Sequence, residues 1–572
     1  MLLLFNKLPF NKIQIMKIWF VSSALLLSAA VFAQKTTTEI PKNWYQLDRA
    51  TSGYYGISLD KAYDFVKAKK LKSKPVVVAV IDGGIDTLHE DLKAILWTNA
   101  KEIPGNGIDD DHNGYIDDVH GWNFLGGKDG RNVKEDSYEG ARVYTVLKAK
   151  YGEEIPEDSI LPASEKNEVE LYKKAKQKIV GEINPAETAF LRQILPGFLK
   201  GDSAITKEIG KEEYNCTDLE KYAAVDADAK RTKVFLLQLC KANNSNELTN
   251  KQIIDELQGD LRKADAADHS PKEYRKEIVQ DNENDINDRF YGNKDIMTAT
   301  PFHGTHCAGI IGAIRDNGKG IQGIADNVRI MMVRAVPDGD EHDKDIANAI
   351  RYAIENGAQI ISMSFGKEFS PEKRWVDSAV RFAESKGVLL VHAAGNDAKN
   401  VDSTDNFPSP VYLDNGQKAT NWITVGASGD PQTGSITANF SNYGKKEVDV
   451  FAPGVQIYST IPGGTNYGNA SGTSMACPVV AGTAALLLEY FPTLSAKQLK
   501  YIIEKSAVAP DTEVTVPGTK DKTKLSELCA SGGLLNAYEA IKLAATLQGH
   551  FGSVARTSPS KSPVQVRGSR RS

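Results

Sequence analysis

The chain has 572 residues, 41% of them hydrophobic and 25% charged, with a formal net charge of -5 at pH 7. That length supplies a large buried core, and the composition is that of a soluble globular protein. The small net charge excludes a basic nucleic-acid-binding domain, and five cysteines are too sparse and odd a set for a disulfide framework.

Lys12 and Lys17 precede an apolar run over 18–32, and Val31-Phe32-Ala33 offers the small residues that a signal peptidase needs. Residues 1–33 therefore read as a signal peptide, with Gln34 as the mature start. Met16 followed by Lys17 already completes such a signal. A run of about 15 residues falls short of the roughly 20 that span a bilayer. No cysteine follows to take a lipid, and no later segment reads as long and apolar enough to span. The expectation is an exported protein, periplasmic or extracellular, with no stable membrane anchor.

A helical stretch near 58–69 leads into Pro75-Val-Val-Val-Ala-Val-Ile-Asp82. Such a β-branched run predicts a strand buried on both faces of a parallel sheet. Residues 128–280 differ in character, being rich in Lys, Glu, Ala and Gln and poor in glycine. Leu171, Ala175 and Ile179 recur at helical spacing there, as do Ile254, Leu257 and Leu261, and Thr249 with Gln252 makes a capping box. This segment reads as a helical insertion. Beyond it, strands at 329–334, 359–364, 388–394 and 422–427 alternate with helices at 343–356 and 371–386. The predicted fold class is α/β, a doubly wound and mainly parallel sheet with helices on both faces, plus the insertion. Residues 550–572, holding Ser, Pro and Arg with few large apolar residues, read as a disordered basic tail.

Three segments each place one reactive side chain at the end of an element. Asp82 ends the first strand, His303 opens the small-residue helix His303-Gly-Thr-His-Cys-Ala-Gly, and Ser474 lies in Gly472-Thr-Ser474-Met-Ala-Cys-Pro478 before a long apolar helix over 479–490. In a doubly wound sheet, sites form beyond the carboxyl ends of strands, so the three are able to converge. A serine hydroxyl needs a base to take its proton, a neutral imidazole serves near pH 7, and a carboxylate fixes the imidazole tautomer. A helix N-terminus adds backbone N–H groups beside a developing oxyanion. Asn396, ending the strand Val388-Leu-Leu-Val-His-Ala-Ala-Gly-Asn396, supplies one more donor. Taken singly, Asp82 reads as a cap carboxylate, His303 as a core histidine and Ser474 as an N-cap. Jointly they read as a nucleophile, its base and its orienter. The alternative class is a non-catalytic binding or chaperone-like protein using the insertion as its interface.

The order Asp, His, Ser and the strings Val-Ile-Asp82-Gly-Gly-Ile-Asp, His303-Gly-Thr-His-Cys-Ala-Gly, Ala-Ala-Gly-Asn396 and Gly-Thr-Ser474-Met-Ala-Cys-Pro resemble the subtilisin family of serine peptidases. The resemblance covers about 44–127 and 281–549. It implies a catalytic domain in two parts, 34–127 and 281–549, split by the insertion at 128–280. It implies an endopeptidase working through an acyl-enzyme: Ser474 attacks, His303 shuttles the proton, Asp82 orients His303, and Asn396 with the Ser474 amide holds the oxyanion. It further implies that Ser364, Phe365 and Gly366 form an edge strand pairing with substrate, and that Ala393, Ala394 and Gly395 wall the pocket for the residue before the scissile bond. Asp449-Val-Phe-Ala-Pro-Gly454 is expected to be a structural turn. Protein or peptide substrates are the expected partners, with no nucleic acid and no organic cofactor. Only about residues 34–49 separate the signal from the domain, too few for an inhibitory pro-domain to fold alone. Unless none is needed, the insertion is expected to assist folding or gate the cleft.

Asp109-Asp-Asp-His-Asn-Gly-Tyr-Ile-Asp-Asp118 is a candidate calcium loop. Asp109, Asp111, Asn113 and Gly114 match its first, third, fifth and sixth positions, the Tyr115 carbonyl its seventh and Asp117 its ninth. His120 stands where a bidentate Glu belongs, with Asp118 as the substitute, and the segment 281–285 as a further source of ligands. A solvated acidic turn is the plain alternative. Cys307 and Cys477 are expected as free buried thiols near the active centre. The resemblance adds that some members carry a free cysteine at the first of these places. A Cys216–Cys240 disulfide stays open, and Met475, beside Ser474, is expected to oxidise readily.

Overall fold

The computed structural model describes residues 40–547 apart from 155–161, 182–183, 211–213, 244–248, 267–268, 299–300 and 433. The signal peptide expected at 1–33 and the tail expected at 550–572 lie outside the described residues.

Seven strands form one sheet: β1 Val76–Asp82, β2 Gly121–Asn123, β3 Val328–Arg334, β4 Ile360–Met363, β5 Leu389–Ala393, β6 Trp422–Ser428 and β7 Val450–Pro453. Their order is β2-β3-β1-β4-β5-β6-β7, and every pairing is parallel. The chain lays strands on one side of β1 and then on the other, so the order reverses at β1. Ligands in such sheets bind beyond the carboxyl ends at that reversal, and the residue that ends β1 is Asp82.

The strands are buried on both faces, as the continuous β-branched runs predict. Along β1, Val78 and Val80 face one core while Ala79 and Ile81 face the other. The first core packs the sheet against helices Phe302–Gly312, Thr473–Tyr490, Ala496–Lys505 and Ala537–Leu547, and the second against Asp343–Glu355 and Lys373–Lys386. Two expectations are corrected here. Four residues of the supposed turn at 449–454 form β7, an edge strand whose Pro453 falls at its end, where a missing N–H is tolerated. Thr473–Tyr490, at 18 residues and a mean hydropathy of 1.2, is long and apolar enough to cross a membrane by composition, but 89% of it is buried as the central core helix.

The elements of the insertion among the described residues are helices: Glu139–Tyr151, Ala163–Lys176, Gln177–Gly181, Pro185–Ile209, Cys216–Lys221, Ala227–Asn243, Asn250–Asp265 and Tyr274–Ile278. The outer helices have their own core of Leu195, Phe198, Leu236, Leu239, Ile253 and Leu257. The inner ones share a second core with the main domain, where Tyr144, Leu147, Tyr172 and Ala175 pack with Phe369. Both stems are held by buried charge. At the entry, Glu139 pairs with Arg142 at 2.8 Å and with Lys367 at 2.7 Å, and Lys367 also meets Asp343 at 2.9 Å. At the exit, Arg275 pairs with Asp281 at 2.9 Å and with Asp345. The side chain of Gln252, half of the expected capping box, lies outside the described residues.

Cys216 and Cys240 form a disulfide that joins two insertion helices across 24 residues of sequence. Closing a loop of that length in the unfolded chain is worth about 3 kcal/mol. Replacing both cysteines by serine is expected to lower the melting temperature of the insertion in a calorimetric scan. Wild-type protein heated in a thiol reductant should reproduce the change.

Candidate active site

His303 is the second residue of helix Phe302–Gly312, which packs over the end of β1. Its Nδ1 lies 2.8 and 2.9 Å from the two Asp82 carboxylate oxygens. A carboxylate only accepts, so Nδ1 carries the proton and Nε2 is left as the basic nitrogen. Asp82 is 3% exposed, and its Oδ1 also accepts the Gly83 N–H at 2.7 Å. The glycine after His303 is required by this approach: a Cβ at Gly304 would stand 2.2 Å from the Gly84 carbonyl oxygen and 3.1 Å from Asp82 Cβ. Burial opposes protonation of His303, but the Asp82 charge and hydrogen bond outweigh it and leave the pKa raised. His306, one turn on, bonds the Gly468 carbonyl at 3.2 Å, and burial pushes its pKa down to about 3, so it is a neutral structural residue.

Ser474 begins the central helix. The helix contains Pro478, which has no N–H to give to the carbonyl four residues back, and that carbonyl belongs to Ser474. It accepts instead from the Ser364 hydroxyl at 2.9 Å and the Cys307 thiol at 3.5 Å. Since Cys307 is one turn from His303, these bonds bring the Ser474 and His303 helices together beside Asp82. The Ser474 hydroxyl donates to the Ser364 carbonyl at 3.0 Å rather than to the His303 ring. The carboxylate–imidazole half of the expected relay is thus formed, and the hydroxyl–imidazole half is not. Asn396 spends its Oδ1 on the Thr473 N–H at 2.8 Å and the Thr473 hydroxyl at 2.9 Å. This fixes the amide with Nδ2 toward Gly472. A Cβ at Gly472 would lie 3.6 Å from both Asn396 Nδ2 and the Ser474 N. Asn396 Nδ2 and the Ser474 N thus lie equally far from one point beside Gly472.

A cavity of about 300 Å³ opens next to Ser474 and Asn396, lined by Ser364, Phe365, Gly366, Ala393 and Gly395 among others. Ala394 is the exception among the expected cleft residues. It is fully buried, and its carbonyl is held by Asn406 at 3.0 Å and Asn442 at 2.8 Å. Those two asparagines, which also line the cavity, hold the wall in place, a role that nothing in their local sequence marked. Gly395, at φ +96°, leaves no room for a Cβ, which would meet Asn442 Nδ2 at 2.4 Å. Cys307 and Cys477 are buried thiols as expected, with pKa values pushed up by desolvation. Met475 is also buried, so packing shields the sulfur that its position beside Ser474 had marked as an oxidation target.

The acidic loop folds differently from its sequence pattern. Oxygens of Asp109, Asp111 and Glu102 lie within 4.8 Å of one another, and Glu102 was not foreseen. Asp117 turns away to Lys294 at 2.7 Å and to the Gly105 and Gly107 N–H groups. Asp118 is occupied by the Tyr352 hydroxyl at 2.6 Å and the amides of Asn99 and Asn113; burial pushes its pKa up to about 6. Asn113 accepts the Tyr115 N–H at 2.8 Å, an internal turn bond.

A serine at a helix start, a histidine on a second helix and a carboxylate at a strand end thus come together beyond the sheet in the chain order Asp, His, Ser. The chain belongs to the subtilase family, whose model matches residues 73–538. It is 40% identical over 240 residues to a thermophilic serine proteinase of Bacillus sp. (strain AK1), covering 42% of this chain and 52% of that protein. It is 35% identical over 271 residues to thermitase of Thermoactinomyces vulgaris, covering 46% of this chain and 85% of that protein. The chain thus spans about half the length of the first relative and most of the second. A solved protease structure from Pseudoalteromonas arctica aligns with 88% of this chain and 97% of that one, at 19% identity and a TM-score of 0.43.

Because protonated His303 cannot accept the Ser474 proton, kcat/KM should fall as pH drops, with a midpoint above the ordinary histidine value of about 6.5. Asp82→Asn is expected to lower that midpoint and to cut kcat by about 10⁴. A pH–rate profile of both proteins tests this.

Proposed function

We propose that this subtilase is an exported endopeptidase that cleaves extended peptide segments through an acyl-enzyme at Ser474. The observation that carries the reading is the paired His303–Asp82 contact, with the Ser474 N and Asn396 Nδ2 each 3.6 Å from one point beside Gly472. His303 Nε2 takes the Ser474 proton as the hydroxyl swings from the Ser364 carbonyl to attack. Such nucleophile–base bonds are commonly loose before substrate binds. Asp82 stabilises the imidazolium, while Asn396 Nδ2 and the Ser474 N–H receive the oxyanion. His303 then hands the proton to the leaving amine, and water repeats the sequence to release the acid. Substrate pairs as an added strand along Ser364, Phe365 and Gly366, with the preceding side chain in the cavity walled by Ala393 and Gly395.

Export is supported by the apolar N-terminal run and by the Cys216–Cys240 disulfide, which fits an oxidising compartment, periplasmic or extracellular. The hard oxygens of Glu102, Asp109 and Asp111 suit calcium, which would hold the loop and take no part in the chemistry. Asp117 and Asp118 are committed elsewhere and leave the ligand set proposed from sequence.

A fluorophosphonate probe should label the mature protein at Ser474 and fail on Ser474→Ala; wild-type protein that stays unlabelled would overturn the reading. Asn396→Ala should retain labelling but lose about 10²–10³ in kcat. Adding a calcium chelator should lower the melting temperature on the order of 5 °C and leave the labelling rate at 25 °C unchanged.

A further inference from the structure

The cavity beside Ser474 is not the plain apolar slot that its Ala and Gly walls suggest. Its lining also includes three carboxylates, Glu368, Asp397 and Asp405, with Lys367 and Lys399. The Lys367 charge is spent elsewhere. Its ammonium is buried and binds Glu139 at 2.7 Å, Asp343 at 2.9 Å and the Glu341 carbonyl at 2.6 Å. That leaves Lys399, paired with Glu368, as the cavity's own counter-charge.

The remaining balance comes from the insertion. Lys174, near the end of helix Ala163–Lys176, places Nζ 2.7 Å from Asp405 Oδ2 and donates to the Glu368 carbonyl at 2.8 Å. Lys178, one turn on, lies 3.2 Å from Glu368 Oε2. Burial would raise the Glu368 pKa, but Lys399 and Lys178 hold it below the ordinary value, so the carboxylate is charged. The pairing is positioned by packing: the Lys174 ammonium stands 4.6 Å from the Phe369 ring centroid, and Phe369 sits in the core shared with Tyr144, Tyr172 and Ala175. The register of the insertion on the main domain therefore fixes where its two lysines reach.

We infer that the insertion completes the specificity pocket, with Lys174 and Lys178 neutralising Asp405 and Glu368 so that the pocket accepts an uncharged side chain before the scissile bond. This rests on the peptidase reading and deepens it. With the two insertion lysines and Lys399, three ammonium groups face three carboxylates. Without the insertion lysines, one faces three, and the same cavity becomes a site for lysine or arginine side chains. An unpaired carboxylate a few ångströms from a bound cation, part-screened by water, discriminates by about tenfold.

The test uses the full mature chain and peptide substrates that differ only in the residue before the scissile bond: Lys, Gln or Glu. Titration with a fluorophosphonate first counts active Ser474 in every variant, so loss of folding or of peptidase function is read separately from selectivity. Lys174→Ala/Lys178→Ala should raise the kcat/KM ratio of Lys over Gln substrates by about tenfold. Glu368→Gln/Asp405→Asn, which removes the carboxylates instead, should lower that ratio and raise Glu over Gln. Lys200→Ala, an exposed insertion lysine paired with Asp228 at 2.6 Å, should leave both ratios unchanged. Unaltered ratios in the two double variants, or an equal shift in Lys200→Ala, would overturn the inference.

Discussion

A buried carboxylate facing an imidazole governs this molecule. Asp82 has little solvent, and an isolated buried charge is costly. Its oxygens are satisfied by the His303 ring and the Gly83 N–H, which places three demands on the rest of the chain. The central strand must end where Asp82 does. The helix bearing His303 must come close enough to exclude any side chain at position 304. Something must hold that helix from its far side. The last demand is met by the hairpin Ile457–Ile461 and Asn466–Ala470, whose Ser459 and Thr460 hydroxyls cap the His306 and Thr305 carbonyls at 2.8 Å each.

The nucleophile side follows a related logic. Pro478 removes one rung from the helix ladder, and the released Ser474 carbonyl ties the helix to Ser364 and Cys307. A residue type that costs a helix interior its regular bond here converts that bond into a link between two halves of the site. Thr473 acts in a similar way on Asn396, holding the amide oxygen with its N–H and its hydroxyl.

Much of the fold was legible because the central strands are mostly apolar: β1, β3, β5 and β6 fall within a residue or so of where Val, Ile, Leu and Met cluster. Strands without such clusters were not. Gly121–Asn123 holds three residues, only one of them large and apolar, and Val450–Pro453 carries a proline that reads as a turn. The site residues were legible as strings because each must occupy an element end with small neighbours. What the strings could not convey is contact across the chain. Glu102 joins the acidic loop only because a local turn brings it back onto Asp109 and Asp111. Asn406 and Asn442 look like ordinary loop residues until their amides are seen on the Ala394 carbonyl. Lys174 and Lys178 belong to a Lys- and Glu-rich helical stretch, and only docking gives them partners.

The insertion is joined to the main domain by charges without solvent at both stems. Lys367 and Asp343 belong to the main domain yet share Glu139 in their charge balance, and Asp345 depends on Arg275 and on the Tyr291 hydroxyl, which donates to it at 2.6 Å. Removing one partner of such a buried pair costs about 3–5 kcal/mol, whereas replacing both with apolar groups is near neutral. Cutting the segment away would leave Asp345 without its guanidinium and Lys367 with the Asp343 carboxylate alone. The charges at its seams tie the segment to the main domain whatever its outer helices contribute.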